Sequence, residues 1–327
     1  MDIGSNLSDP IFRGIYNGKQ VHEDDFHQIL QRARKFGVEK QILTGDCLTG
    51  STQVIELSHQ HHGLYATVGC HPCRANEFET PIDQTHPTES LAELYLSKLE
   101  ELIQSDQRLE RSKRKVVAIG ECGLDYDRLS YASKEVQLRH FPPQLSLARK
   151  YKLPLFLHSR TPEAHTDLVS ILKTHHDLDP LNLLPPRQRG VVHSFTGTHS
   201  EMEELIELGY SIGINGCSLK TEENLNVVKS IPLDRLMLET DCPWCDIRKS
   251  HASFQLLSDL PPEFLIKSIK KEKFQSDQPV LIKGRNEPCT IFQVAWIVSK
   301  LLNLDVNELM KIVWKNSMDL FQLDLLD

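Results

Sequence analysis

Short apolar runs alternate with amphipathic stretches along this chain. The runs are unbroken and only a few residues long, which is typical of strands buried on both faces of a parallel sheet. The stretches place apolar residues three and four positions apart, which is typical of helices with one buried face. Strands are predicted at residues 2–4, 40–44, 64–69, 116–120, 155–158, 191–193, 210–214 and 236–239.

Helix-like segments follow most of these strands. Residues 24–36 show the pattern clearly, with Phe26 and Ala33 on one apolar face. Pro142 and Pro143 predict a break in the helix after the fourth strand, because proline lacks a backbone donor. The other helices are predicted at 51–62, 89–109, 166–173, 201–208, 291–302 and 306–320.

Eight strands, most of them followed by a helix, predict a TIM-type (β/α)8 barrel. An open doubly wound sheet is the alternative, and it is disfavoured because no Gly-x-Gly-x-x-Gly sequence follows the first strand. We expect a single domain over residues 1–327 with long βα insertions at about 74–115 and 246–285. The first insertion should contain a solvated helix, and the polar, Lys-rich second one should be the most mobile region.

Composition is that of an ordinary globular protein. The chain has 327 residues, of which 39% are hydrophobic and 25% charged, and its formal net charge is −8. One barrel of roughly 250 residues plus insertions fits this length, and the bulk charge does not indicate a polyanion ligand. We find no signal-peptide pattern and no apolar stretch near the roughly 18 residues of a membrane helix. We therefore expect a cytoplasmic or nuclear protein with reduced cysteines and no membrane partner.

Four predicted strands end in a side chain that can bind a metal: Glu121, His158, His193 and Asp241. Each of them, taken alone, could equally be an ion-paired or core residue instead of a metal ligand. The carboxyl ends of barrel strands meet at one rim, however, so the four side chains are expected to lie together. Two imidazoles and two carboxylates suit Zn²⁺ or Mn²⁺, and Mg²⁺ less well. Such a site can lower the pKa of bound water toward about 7. Asp241 is the best candidate to accept the proton of that water.

Further candidates lie close to these four in the sequence. His71 either contacts substrate or holds a loop, and Asp125 either supports the site from behind or shapes a turn. Arg160 either binds a phosphate or pairs with Glu163. Trp244 either stacks on a base or simply packs.

Two Cys-x-x-Cys pairs allow other interpretations: Cys70 with Cys73, and Cys242 with Cys245. A shared zinc site is disfavoured because about 170 residues separate the pairs, against roughly 15–20 in zinc ribbons. A thioredoxin-like pair would need a helix start in a small βαβ domain. We therefore expect small, buried-type cysteines on rim loops.

Six segments, taken together and in order, resemble the TatD-like deoxyribonucleases, a family of metal-dependent hydrolases, and the start of the chain resembles its eukaryotic branch. The segments are Gly69-Cys70-His71-Pro72, Ile119-Gly120-Glu121-Cys122-Gly123-Leu124-Asp125-Tyr126, Leu157-His158-Ser159-Arg160, Val192-His193-Ser194-Phe195-Thr196-Gly197, Glu239-Thr240-Asp241-Cys242-Pro243-Trp244 and Arg285-Asn286-Glu287-Pro288.

The resemblance implies a (β/α)8 barrel that hydrolyses DNA, single-stranded or at 3′ ends, with one or two Mg²⁺, Mn²⁺ or Zn²⁺ ions. Members are typically 3′→5′ exonucleases, some with endonuclease activity. Glu121, His158, His193 and Asp241 match the family's metal positions, with Asp241 as base and Glu121 beside the phosphodiester oxygen. An amide, ester or lactone hydrolase and a non-enzymatic metal protein remain alternatives, because a fold does not determine the substrate. The oligomeric state stays open.

The first strand departs from the family pattern. Many members carry Asp-x-His-x-His there, and those histidines bind one of two metals, whereas this chain has Gly4 and Asn6 at the aligned positions. Glycine has no side-chain ligand, and an Asn amide oxygen is a weak one. Either one ion is held tightly and a second arrives with the phosphate, or Asn6 helps through water. Asn6 could equally be a turn or cap residue.

Overall fold

The computed structural model describes residues 1–81, 90–275 and 278–326. Within them, eight strands form one sheet whose spatial order follows the order along the chain. Helices connect the strands, so the fold is the predicted (β/α)8 barrel, nearly closed. The strands are β1 Asp2–Ser5, β2 Gln41–Leu43, β3 Leu64–Val68, β4 Val116–Asp125, β5 Leu155–Arg160, β6 Gly190–Val192, β7 Ser211–Ile214 and β8 Leu236–Leu238.

Most helices lie within a few residues of their predicted positions. They are α1 Phe26–Lys35, α2 Leu48–Gln60, α3 Leu91–Gln107, α4 Lys134–Tyr151, α5 Pro162–Leu178, α6 His199–Glu207, α7 Glu222–Ser230, α8 Ile291–Leu302 and α9 Val306–Phe321. No single helix in the described ranges is long and apolar enough to cross a membrane. Within these ranges, only Pro288–Leu302 and α9 taken together have the length and apolar composition of a membrane span, and the two are bent by 110° to each other.

The predicted break at the proline pair is wrong, because α4 runs through Pro142 and Pro143. Tertiary contacts outweigh the lost backbone donors here. Phe141 and Leu145 are buried. The Gln144 side chain accepts from the Cys70 backbone N–H (2.8 Å) and donates to its carbonyl (3.1 Å), which ties the helix to the chain beyond β3.

The helix in the first insertion is also less exposed than expected. It begins at Leu91, and Leu99 and Ile103 are fully buried on one face of α3. This face supplies apolar contacts, so the prediction of a solvated helix is wrong for that side. The first residue of the prediction, Glu89, lies outside the described residues.

The polar segment 246–285 forms short elements instead of long helices. Its described residues form three short 3-10 helices and two two-residue strands, and Ser268–Ile269 pairs in parallel with Leu281–Ile282. Residues 276–277 lie outside the described part, and the mobility of the segment stays a prediction.

The chain separates into two compact units. The first unit comprises Met1–Leu43, Ser194–Thr198 and Gly213–Ser317, and it includes β1, β2 and β8. The second unit comprises Thr44–His193, His199–Ile212 and Met318–Asp327, and it includes β3 to β6. The single domain over 1–327 stays a prediction.

A buried ion-pair network lies inside the first unit. Arg285 contacts Asp25 at 2.6 Å and Glu287 at 2.8 Å, and Arg32 on α1 also contacts Glu287 at 2.8 Å. All four side chains are at least nine-tenths buried. The network therefore ties α1 to the Arg285-Asn286-Glu287-Pro288 segment that precedes α8.

Candidate metal centre

Three parallel strands position the metal-type side chains of the second unit. Glu121 lies within β4, His158 within β5, and His193 directly after β6. In the sheet register His158 lies opposite Gly123, and Leu157 opposite Val192. The pairing of these strands therefore brings the three side chains together.

One carboxylate oxygen lies at the centre of this cluster. Glu121 Oε1 is 2.7 Å from His158 Nδ1 and 2.6 Å from His193 Nε2, and the two imidazole nitrogens are 3.4 Å apart. Glu121, His158 and His193 are only 7%, 6% and 2% exposed. Three of the four predicted ligands therefore converge through side-chain atoms that can bind a metal.

His71 is a fourth member of the cluster. Its Nε2 lies 3.4 Å from Glu121 Oε1 and 3.3 Å from His158 Nδ1. Its Nδ1 accepts a hydrogen bond of 3.0 Å from the Cys73 backbone N–H, which orients the ring. His71 therefore holds its own loop and also faces the cluster.

Asp125 contacts the cluster from the far side of His158. Its Oδ2 lies 3.0 Å from His158 Nε2, and its Oδ1 accepts from the Asp127 backbone N–H at 3.0 Å. Gln137 fixes the Asp125 backbone through two hydrogen bonds of 2.8 Å. These contacts are compatible with both predicted roles of Asp125, ring support and turn formation, and its part in a metal site stays a prediction.

The cluster approaches the spacing of a cation site. Ligand atoms that share an ion at about 2.1 Å lie roughly 3 to 3.5 Å apart. The 3.4 Å between His71 Nε2 and Glu121 Oε1 lies in this range, whereas the 2.6 Å from His193 Nε2 to the same oxygen is a hydrogen-bond distance that lengthens if an ion binds between them. Three imidazole nitrogens around one oxygen exceed what that oxygen can accept as hydrogen bonds. His71, Glu121 and His158 form one group that could hold a metal, and His71, Cys73 and Asp125 form another.

The protonation states of His71, Glu121 and Asp125 also suit metal binding. Burial lowers the pKa of His71 to about 3, so its ring is neutral near pH 7. Burial opposes ionisation of Glu121, but the neighbouring imidazoles of His193, His71 and His158 hold the pKa of that carboxyl well below its usual range. The hydrogen bond from His158 lowers the pKa of Asp125 against the effect of burial. Neutral imidazoles and ionised carboxylates are the forms that bind metals.

The fourth predicted ligand, Asp241, lies in the first unit and is held by Asn6. Asn6 Nδ2 donates to Asp241 Oδ1 at 3.0 Å and to the Cys242 carbonyl at 3.1 Å. Asp241 has a φ of 49°, a left-handed conformation that is uncommon outside glycine and recurs at functional sites. Asn6 thus contacts Asp241 through its amide N–H. The membership of Asp241 in the ligand set stays a prediction.

Two buried carboxylates were not identified from the sequence, Asp2 in β1 and Glu239 directly after β8. Asp2 accepts from the Thr240 hydroxyl (2.5 Å) and backbone N–H (2.9 Å), and burial raises the pKa of Asp2 to about 7. Glu239 accepts from the Ser194 backbone N–H (2.5 Å) and from Asn215 (3.1 Å). The only signal was the Glu239-Thr240-Asp241 run, where acidic residues follow a buried strand.

The cysteines only partly match their predicted role. Cys70 and Cys242 are buried as expected, whereas Cys245 contacts Cys217 instead of the other cysteine of its Cys-x-x-Cys pair. The two sulfurs are 2.9 Å apart, and Cys245 Sγ is 3.2 Å from Asp241 Oδ2. The hydrogen bond with Cys217, burial and the Asp241 charge all raise the pKa of the Cys245 thiol.

The contacts of Arg160 and the exposure of Trp244 narrow the roles of these two remaining candidates. Arg160 Nη1 donates to the Ser159 carbonyl at 2.7 Å, and among the described residues it forms no ion pair with Glu163. Trp244 is 54% exposed. The packing interpretation of Trp244 is therefore disfavoured, and a base-stacking role stays a prediction.

Comparison with known proteins identifies one family. The family model described as TatD related DNase matches residues 9–322. The chain is 46% identical over 323 residues to a protein of Schizosaccharomyces pombe named "Deoxyribonuclease Tat-D", covering 98% of this chain and 94% of that protein. It is 33% identical over 326 residues to a protein of Erwinia amylovora named "3'-5' ssDNA/RNA exonuclease TatD", covering 98% and 99%.

A solved structure agrees with these matches. An uncharacterised amidohydrolase of Saccharomyces cerevisiae superposes with a TM-score of 0.86 at 39% identity, covering 98% of both chains.

Proposed function

The chain belongs to the TatD related DNase family, and on that premise we propose that it is a divalent-metal-dependent deoxyribonuclease. It hydrolyses phosphodiester bonds of DNA, as the name of the Schizosaccharomyces pombe relative indicates for that protein. The observation that carries the proposal is the convergence of His71, His158 and His193 on one oxygen of Glu121. The name of the bacterial relative favours a 3′→5′ exonuclease.

Glu121, His158, His193 and Asp241 are the proposed metal ligands. The contacts of the first three support the assignment, and the motif resemblance supports Asp241. A mixed set of imidazoles and carboxylates favours Zn²⁺ or Mn²⁺ over Mg²⁺. When bound, the divalent ion supplies Lewis acidity at a phosphoryl oxygen and lowers the pKa of water. One ion is the minimum, because Gly4 and Asn6 replace the family's pair of histidines.

Neighbouring polar residues orient these ligands through hydrogen bonds. The Asp125 carboxylate accepts from His158 Nε2–H, which leaves the Nδ1 lone pair for the ion. Asn6 holds Asp241 Oδ1 and the Cys245 thiol donates to Oδ2, so both contacts orient the carboxylate that accepts the proton of the attacking water. The exposed Trp244 ring is available to stack on a base of single-stranded DNA or a frayed 3′ end.

The proposal is tested with metal-free protein and single-stranded DNA labelled at either end. Mn²⁺, Mg²⁺ or Zn²⁺ should restore digestion, and label at the 3′ end should be released first. Glu121→Gln should lose most of the activity because it removes the central charge of the cluster. Glu163→Gln is the matched control, since Glu163 is an exposed carboxylate on α5. A Glu121→Gln variant that digests DNA as fast as wild type would refute the proposal.

An amide, ester or lactone hydrolase that uses the same side chains is the less supported alternative. The names of the two curated relatives described above both concern nucleic acid. If metal-loaded protein leaves every DNA substrate intact and hydrolyses an ester or lactone in a Glu121-dependent manner, that alternative replaces the nuclease.

A further inference from the structure

Two partly exposed cysteines lie side by side next to Asp241. Cys217 follows β7 and Cys245 follows β8, and both belong to the first unit. Five of the eight cysteines are buried, and three are half-buried: Cys73, Cys217 and Cys245. Two of these three accessible thiols therefore contact each other.

The sulfur geometry is close to that of a disulfide. The Cys217 thiol donates to Cys245 Sγ at 2.9 Å, so bond formation at about 2.05 Å requires a movement of roughly 0.9 Å. The backbones of the two loops are already in contact, because a Cβ placed on Gly216 would lie 2.0 Å from the Cys245 carbonyl oxygen. Little loop movement is therefore needed to join the sulfurs.

The pair is also connected to the proposed proton acceptor. The Cys245 thiol donates to Asp241 Oδ2 at 3.2 Å, while Asn6 donates to Oδ1. Oxidation removes this S–H donor and pulls the Cys245 sulfur toward Cys217. Asp241 thus loses one of the hydrogen bonds that orient its carboxylate.

We propose that Cys217 and Cys245 form a reversible disulfide with glutathione disulfide as oxidant, and that its formation inhibits the enzyme through Asp241. The inhibitory part rests on the proposed nuclease function.

The reaction is a thiol–disulfide exchange in two steps. One cysteine sulfur attacks glutathione disulfide, and the glutathione S–S bond breaks as a mixed disulfide forms. The second cysteine sulfur then displaces the other glutathione, and the Cys217–Cys245 bond forms. The two cysteine sulfurs lose two electrons and two protons, and both glutathione sulfurs leave as thiols.

Peptide mapping tests the bond directly. The full chain is equilibrated in buffers of reduced and oxidised glutathione, alkylated, digested with trypsin and analysed by tandem mass spectrometry. Peptide 190–220 contains Cys217 alone, and peptide 236–248 contains Cys242 and Cys245. We expect these peptides to be linked through Cys245, with the link removed by dithiothreitol and absent in Cys217→Ser and Cys245→Ser. Cys73→Ser, which changes the third half-buried cysteine, should keep the link.

Two results would overturn the assignment: no linked peptide in the most oxidising buffer, or a link made by Cys242. Activity is measured on the same samples. Oxidised wild type should lose most of its DNA digestion and recover it with dithiothreitol, whereas Cys217→Ser should be equally active in both buffers. If the linked protein digests DNA as fast as the dithiothreitol-reduced protein does, the proposed inhibition is refuted. Reduced protein without any nuclease activity refutes the proposed function instead, and the mapping still decides the bond.

Discussion

Asn6 lies where many members of this family carry a histidine, and here its amide contacts a carboxylate. Because Asn6 Nδ2 donates to Asp241 Oδ1 and to the Cys242 carbonyl, it fixes the direction of the Asp241 side chain. A hydrogen bond to a charged group contributes about 1.5–3 kcal/mol. On the proposed assignment of the site, this chain therefore has a residue that orients Asp241 where the family pattern has a metal-binding histidine.

Replacement of Asn6 by leucine should lower kcat/KM on single-stranded DNA by about tenfold or more, since the lost hydrogen bond involves a charged acceptor. The side chain keeps a similar size, so the fold should be retained. Asn226→Leu serves as control, because Asn226 is an exposed residue of α7 whose side chain contacts Lys229. An unchanged kcat/KM for Asn6→Leu would show that Asp241 does not depend on this contact.

Asp125 makes an equally specific contact, 3.0 Å from His158 Nε2. Loss of a carboxylate that orients a ligating histidine typically weakens metal affinity by about 10–100-fold. We expect that loss for Asp125→Asn in Mn²⁺ titration calorimetry. Asp127→Asn, an exposed carboxylate on the same loop, should bind as wild type does. Equal affinities for both variants would leave Asp125 with a role in the turn only.

At the scale of the elements, the pattern of apolar residues predicts most strands and helices, whereas tertiary packing determines the residues at which they end. The amphipathic stretch 291–302 coincides with α8, whose apolar face is strongly periodic. β4 was predicted to end at residue 120 and continues to Asp125, because its pairing with β5 extends to Asp125 opposite Arg160. Helix α7 was not predicted, although Thr221 and Asn224 form a capping box at its start. Strand pairing over distance is not visible in a local apolar pattern.

Helix α4 allows a direct test of how packing overrides propensity. Pro143 is inside the helix and withholds one backbone donor, which ordinarily costs about 3 kcal/mol. Pro143→Ala should therefore raise the free energy of unfolding in urea by roughly 1–3 kcal/mol, less the entropy gained by the unfolded chain. Ser146→Ala, at an exposed position of the same helix, should change it by less than about 0.5 kcal/mol. Destabilisation by Pro143→Ala would mean that the proline ring itself is a packing element.

The contacts of the site likewise include some that the sequence predicts and some that it does not. Glu121, His158 and His193 were predictable because each belongs to an apolar run, and parallel strands bring such ends together. The contact between Asn6 and Asp241 spans 235 positions, and that between Cys217 and Cys245 spans 28. Neither follows from spacing, since both depend on how loops after different strands meet.

At the scale of the whole molecule, charge and buried histidines set the conditions under which the protein works. The net charge of −8 repels a polyanion, so cations at the cluster must provide much of the local attraction for a DNA phosphate. Burial also lowers the pKa of His175 and His176 to about 4, and His176 Nε2 lies 3.1 Å from the Tyr210 hydroxyl. The folded chain thus keeps two α5 histidines neutral where the unfolded chain would protonate them.

This difference predicts an acid-sensitive stability. Because the folded pKa values of His175 and His176 lie near 4 and the unfolded value is 6.5, their contribution is fully present above pH 6.5. It is lost as the pH falls toward 4. The measurement is urea denaturation of the metal-free protein at several pH values. The unfolding free energy of wild type should fall more steeply over this window than that of the double variant His175→Asn/His176→Asn. The difference should be on the order of 1 kcal/mol after solvent screening. His59→Asn, an exposed histidine on α2, should follow wild type. Parallel curves for wild type and the double variant would mean that both α5 histidines titrate alike in the folded and unfolded chain.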